Sequence, residues 1–257
     1  MRHMWREVQG DGPPLILMHP VGLDAEFWGN LPDILSSSYT VARADLVGHG
    51  RSSDASRPGR LSDYVADIVS LIGELGGGPA ILLGVSFGGM LAQNIVLSRP
   101  DLVRALVLAG CPGAIPAAAR PAMLLRGADA EAEGMAAVVG VTMQRWFTHS
   151  FLSTEEARHV RHRLLENTPS NWAATWEAIA EHDALSGLGR LDIPALVIAG
   201  ADDEATSLDA KRALAAAIPG SRLEVLSGAP HIMQIECEAR FTELVTGFLA
   251  TLEGARA

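Results

Sequence analysis

The sequence predicts an α/β fold: a mainly parallel central sheet with helices on both faces and a helical cap near the sheet's C-terminal edge. Three observations carry this reading. Short continuous apolar runs at residues 15–18, 80–83 and 195–199, and the mostly apolar run at 103–109, have the pattern of buried parallel strands. Stretches with helical periodicity alternate with them. Between residues 114 and 190 strand-like runs largely disappear and most of the chain reads as helix. The expected organisation is a core built from residues 1–113 and 191–257, interrupted by a cap insertion at 114–190.

Taken in order, residues 4–9 suit a first edge strand, followed by the turn Gly10-Asp11-Gly12-Pro13-Pro14. The buried strand 15–18 comes next, then a helix over 27–35 and a strand over 40–46. Residues 61–75 read as a helix, with Ser62 as its N-cap and Gly76-Gly77-Gly78 as its stop. Strand 80–83 leads into an apolar helix ending near Arg99-Pro100, and strand 103–109 closes at Gly110. Helices are expected at 117–125, 131–148, 154–167 and 171–181. Strand 195–199, helix 209–218, strand 223–226 and helix 241–252 complete the pattern.

Composition excludes several classes. The net charge of -10 argues against nucleic acid or an anionic membrane as the main partner. With 48% hydrophobic residues and 19% charged, the chain is too apolar for disorder. The N-terminal residues do not resemble a signal peptide, and no apolar run is long enough to span a bilayer. Cys111 and Cys237 form no C-x-x-C pair and no disulfide framework, which suits buried thiols in a cytoplasmic compartment. A homo-oligomer is left open. The chain has a single lysine, Lys211, to which the sequence assigns no role.

The chemistry concentrates at Leu82–Gly89, LLGVSFGG. Ser86 stands between Gly84 and Gly88, after a buried strand and before a helix-forming stretch. G-x-S-x-G at a strand-to-helix turn presents a serine oxygen clear of the sheet edge. A serine needs a base, and the base needs an orienting acid. His231, in a turn after the last strand, reaches the same edge. The acid belongs on a strand end between the two, and the loop Gly200-Ala201-Asp202-Asp203-Glu204 offers Asp202 or Asp203. Asp203 is preferred, as the acid commonly stands third after the glycine in such a loop. The developing oxyanion calls for two backbone N–H donors. Phe87 follows the nucleophile, and Val21 lies in the loop after the first buried strand.

Other candidates have plainer readings. His19 fits a loop brace and His49 a glycine-turn brace. His159 and His162 lie on a solvated helix face, without the companions a metal site needs. Cys111 fits a buried apolar thiol. No G-x-G-x-x-G follows a strand, so neither a nucleotide cofactor nor a metal is expected.

With the serine turn, acid loop, histidine loop and glycine turn in this order, the chain resembles the α/β-hydrolase family from end to end. Arg145-Trp146-Phe147-Thr148, the acid loop through Thr206 and Ala229–Glu236 are similar to 3-oxoadipate enol-lactonases. Its loop His19-Pro20-Val21-Gly22 departs from the Asn-Ser-Leu-Gly frequent there, and Ser207-Leu208 stands where a proline is common. The resemblance implies a serine hydrolase of a small ester or lactone, in aromatic catabolism, with the substrate's free carboxylate held under the cap. It further implies that Trp146 faces the pocket and that Arg145, or one of Arg158, Arg161 and Arg163, pairs with that carboxylate. Taken singly, each of these arginines also suits a solvated helix face. Trp172 and Trp176, one helical turn apart, suit packing. A general carboxylesterase, a C–C bond hydrolase or a perhydrolase of the same fold would use the same triad and stays open, and the rival class is a ligand receptor that keeps the fold without the chemistry.

Overall fold

The computed structural model describes residues 3–254. The outermost limits expected for the core, 1 and 257, therefore lie outside the described residues. Among the described residues one sheet of seven strands runs in the order β1 (Arg6–Gln9), β3 (Thr40–Ala44), β2 (Pro14–Met18), β4 (Ala80–Val85), β5 (Val103–Ala109), β6 (Ala195–Gly200), β7 (Arg222–Leu226). Only β1 is antiparallel to its neighbour. A parallel pair requires the chain to cross back to its starting end, so the C-terminal ends of β2, β4, β6 and β7 share one edge.

Alternation along the strands divides the interior into two cores. Ile16, Leu82, Leu106 and Leu108 face one side. Leu15, Ile81, Leu83 and Val107 face the other. The short helix α1 (Leu31–Leu35) and the C-terminal helix cover the second side, the latter through Phe241, Val245 and Leu249. The helix expected over 27–35 is thus confined to its last turn, and Phe27 and Trp28 lie in the turns before it.

On the first side lies α2 (Leu61–Leu75), whose Tyr64, Ile68, Leu71 and Ile72 recur at helical spacing. It stops at Gly76, with φ 65°. Ser62 is not its cap. The cap position is Arg60, and Glu181 and Glu177 accept from the N–H groups of Leu61 (3.2 Å) and Gly59 (2.6 Å). Helix α3 (Phe87–Ser98) lies beside α2.

Four helices stand between β5 and β6: α4 (Arg120–Glu133), α5 (Met135–Trp146), α6 (Glu155–Leu165) and α7 (Pro169–Ala180). The continuous helix expected over 131–148 is broken at Gly134. That residue's φ of 81° suits glycine and ends α4 before α5 begins. Thr154 and Thr168 cap α6 and α7 by accepting from Ala157 N–H (3.1 Å) and Asn171 N–H (3.3 Å). Helix α8 (Leu208–Ala217) follows β6. After β7 come α9 (Met233–Glu236), a short turn absent from the sequence reading, and α10 (Glu238–Gly254). Among the described residues no helix is long and apolar enough to cross a membrane.

Candidate active site

Strand β4 ends at Val85, and Ser86 turns the chain at φ 53°, ψ −113°. It is the one non-glycine residue with positive φ among the described residues. Such a conformation costs on the order of 1–3 kcal/mol and is held only by firm surroundings. The Ser86 N–H donates to Ala109 O at 2.8 Å. A side chain on Gly84 would overlap the backbone of Gly88, and one on Gly88 would overlap the carbonyl of Met18. Both glycines are required by close approach.

Three polar side chains from three loops meet here. His231 Nε2 lies 2.9 Å from Ser86 Oγ. His231 Nδ1 lies 2.9 Å from Asp203 Oδ2. Of the two aspartates in its loop, Asp203 is turned inward, whereas Asp202 is exposed. Asp203 Oδ1 accepts from the N–H groups of Ala205 (2.8 Å) and Thr206 (2.9 Å). Burial alone would raise its pKa. The charges and hydrogen bonds of His231 and Lys211 outweigh burial and lower it to about 2. An ionised Asp203 accepts from Nδ1–H, which leaves Nε2 free to take the serine proton.

Lys211 was silent in the sequence and is central in space. Its ammonium is fully buried, 2.7 Å from Asp203 Oδ2, and donates also to Gly200 O at 3.3 Å. The only available signal was that a one-lysine chain places that lysine eight residues beyond Asp203.

The N–H groups of Val21 and Phe87 find no acceptor among the described residues. Val21 lines the cavity over Ser86, and the Phe87 ring is buried edge-on against Tyr64. His19 sets the Val21 loop: Nδ1–H donates to Pro20 O (2.8 Å) and Nε2 accepts from Leu46 N–H (2.9 Å). Burial lowers its pKa and keeps it neutral. The buried His49 stands edge-on to it, with ring centres 5.0 Å apart.

A cavity of about 240 Å³ lies over Ser86 and His231, walled by Met90, Ile115, Arg126, Trp146 and Trp176 among others. Trp146 is buried, its ring centre 6.3 Å from that of His231. Its carbonyl accepts from Ile232 N–H at 3.2 Å, and the nearby Thr148 N–H donates to Glu236 at 3.1 Å. Helix α5 is thereby fastened to the loop that carries His231. Arg145 lies elsewhere. It lines an adjoining cavity of about 330 Å³ and points one nitrogen at Glu204 O, 3.4 Å away. Arg126, Trp146 and Trp176 belong to both cavities. Trp172 and Trp176 do pack together, at 5.7 Å between ring centres, but Trp176 also faces the serine's cavity. The sequence reading passed over Arg126.

Other side chains depart from expectation. Arg163 is buried, not solvated, and pairs with the buried Asp24 at 2.6 Å. Arg158 pairs with Glu155 on the surface. His159 and His162 border a polar cleft of about 630 Å³ with Asp24, Glu26 and Arg51, and no member of the Ser86 row lines it. Cys111 is buried and burial pushes its thiol up to about 12, whereas Cys237 is only partly buried. Among the described residues no group of three or more His, Cys, Asp or Glu side chains is placed to hold a metal ion.

A mainly parallel sheet with a strained serine between β4 and α3, facing a histidine after β7, defines the alpha/beta hydrolases. The chain belongs to that family, whose fold profile matches residues 13–237. It is 30% identical to 3-oxoadipate enol-lactonase 2 of Acinetobacter baylyi, over 92% of this chain and 88% of the relative. It is 29% identical to (E)-2-((N-methylformamido)methylene)succinate hydrolase of the same organism, over 95% and 92%. The crystal structure of the enol-lactonase from Burkholderia xenovorans LB400 superposes with a TM-score of 0.91 at 27% identity, covering 97% of each chain.

Proposed function

We propose that the protein hydrolyses a small lactone or carboxylic ester through an acyl-enzyme, with an enol-lactone of the 3-oxoadipate type as the favoured substrate. The observation that carries the chemistry is the unbroken row Asp203–His231–Ser86, opening into a cavity. Ser86 Oγ attacks the carbonyl carbon while His231 Nε2 takes its proton. Negative charge moves to the carbonyl oxygen, toward the Val21 and Phe87 N–H groups, each donor contributing about 2.7–4 kcal/mol. The bond from carbonyl carbon to ring oxygen then breaks, and His231 returns the proton to the leaving oxygen. Water, deprotonated by His231, attacks the acyl-enzyme; C–Oγ cleavage frees a carboxylic acid and restores Ser86. Residues 114–190 serve as a cap that sets the shape of the cavity.

The enol-lactone assignment is supported by the relatives, both named for derivatives of dicarboxylic acids. A fluorophosphonate probe followed by peptide mass analysis tests the nucleophile: modification at Ser86 is expected, and an unmodified serine overturns the mechanism. A turnover panel of carboxylated enol-lactones, plain lactones, p-nitrophenyl esters and vinylogous diketones tests the substrate. Equal rates on plain esters with none on carboxylated lactones would remove the lactonase reading.

A further inference from the structure

We propose that Asn167 is a positioning residue for the Val21 oxyanion donor, so that the helical region takes part in the chemistry as well as shaping the cavity. The inference rests on the oxyanion role proposed for Val21 and adds what aims that N–H group. Asn167 stands just beyond the end of α6, 145 residues along the chain from Gly22, the neighbour of Val21. Its Nδ2 donates to Gly22 O at 2.8 Å and also faces the last-turn carbonyls of Leu164 (3.1 Å) and Arg163 (3.3 Å). Arg163 Nη2 donates to Asn167 Oδ1 at 3.4 Å, and Arg163 Nε pairs with Asp24 Oδ2 at 2.6 Å. These contacts leave the Val21 loop at Asp24 and return to it at Gly22. Asp24, Arg163 and Asn167 are all buried.

The loop has little of its own to hold it. Within residues 20–24, among the described residues, the backbone makes one bond to itself, from Leu23 N–H to Pro20 O at 3.4 Å. Gly22 has a φ of 78°, which glycine reaches without steric cost and leaves as freely. A side chain there would overlap Leu164 and the Trp172 ring, so close packing of α6 and α7 requires the glycine. The donor therefore sits beside the loosest residue of its loop. Asn167 takes up that freedom by holding Gly22 O, while His19 holds Pro20 O at 2.8 Å on the other side. Val21 N–H lies between two fixed carbonyls. A hydrogen bond weakens steeply as its donor turns away from the acceptor, so this aim matters to the developing oxyanion. Buried polar groups are costly unless satisfied, and here each one is satisfied by the loop or by α6.

The test compares p-nitrophenyl acetate with its thiono counterpart, in which sulfur replaces the carbonyl oxygen. Sulfur is a weak hydrogen-bond acceptor, so the thionoester draws less on the oxyanion donors. In Asn167→Leu, kcat and kcat/KM on the oxygen ester are expected to fall together by about 10- to 30-fold, part of what loss of a whole donor costs. The thionoester should lose about twofold or less, which narrows the ratio between the two. Asn167→Asp keeps the shape but sets an acceptor against Gly22 O; it should narrow the ratio likewise, and it decides should Asn167→Leu not fold. An equal fall on both esters, or no fall on either, overturns the positioning role. If the wild type turns over neither ester, the rate of fluorophosphonate modification decides: a rate about 10-fold slower at Ser86 of Asn167→Leu supports the role, and an equal rate overturns it. Wild-type Ser86 left unmodified would overturn the nucleophile and this inference with it, whereas a modified Ser86 with equal falls on both esters overturns Asn167 alone.

Discussion

Lys211 Nζ and His231 Nδ1 address the same oxygen, Oδ2 of Asp203, at 2.7 and 2.9 Å. The aspartate is therefore shared between Lys211 and the proposed base. Whatever negative potential Asp203 offers the imidazolium is partly spent on Lys211.

Replacing Lys211 with Met should therefore leave the Asp203 carboxylate less firmly held against His231 Nδ1. A fall in kcat/KM of about tenfold is expected from that loss of positioning. The variant should also unfold at lower temperature, because Asp203 loses its counter-ion. Turnover kinetics together with thermal unfolding separate the two effects. An unchanged kcat/KM with lowered stability would leave Lys211 a purely structural role.

Ser86→Ala should lower kcat by about 10⁴-fold or more while the fold persists. Ser86→Gly should be equally inactive but more stable than Ser86→Ala by about 1 kcal/mol, since glycine tolerates the φ of 53°. Urea unfolding of the two variants measures the difference.

Acid should destabilise the protein well before its carboxylates titrate. His182 is buried, donates from Nε2 to Pro112 O (3.1 Å) and accepts at Nδ1 from Asn94 (3.0 Å). Burial lowers its pKa from 6.5 to about 4. The unfolded chain therefore binds a proton below pH 6.5 that the folded chain refuses until about pH 4. Stability is complete above the first value and falls between the two, by up to about 1.4 kcal/mol per pH unit for each such histidine. His19 and His49, also lowered by burial, act with the same sign. His182→Gln should flatten the slope in urea titrations across that range.

Thiol reagents should discriminate sharply between the cysteines. Iodoacetamide at neutral pH is expected to modify Cys237 and spare Cys111, whose thiol is pushed up to about 12 and enclosed beside Gln93. Peptide mass analysis of native and urea-unfolded samples checks this, with Cys111 reacting only after unfolding.

Features marked by local chemistry were legible in the sequence. Ser86, the Asp202–Asp203 loop and His231 each follow the end of an apolar run, and a parallel sheet brings such ends to one edge. The buried strands were legible for the same reason. Lys211 was not, because its importance lies in a partner, the Asp203 carboxylate that the fold brings to its ammonium. Arg163 was misread because its counter-ion, Asp24, comes from a remote loop. The cap of α2 was misassigned because Glu177 of α7 and Glu181 just beyond its end supply it from across the fold. The break at Gly134 was hidden among good helix formers.

The bond from Ile232 N–H to the Trp146 carbonyl, with the Glu236–Thr148 contact beside it, couples two stretches that lie more than eighty residues apart in the chain. A displacement of α5 would have to stretch or break that bond, so the last turn of this helix and the loop in which His231 sits cannot shift independently.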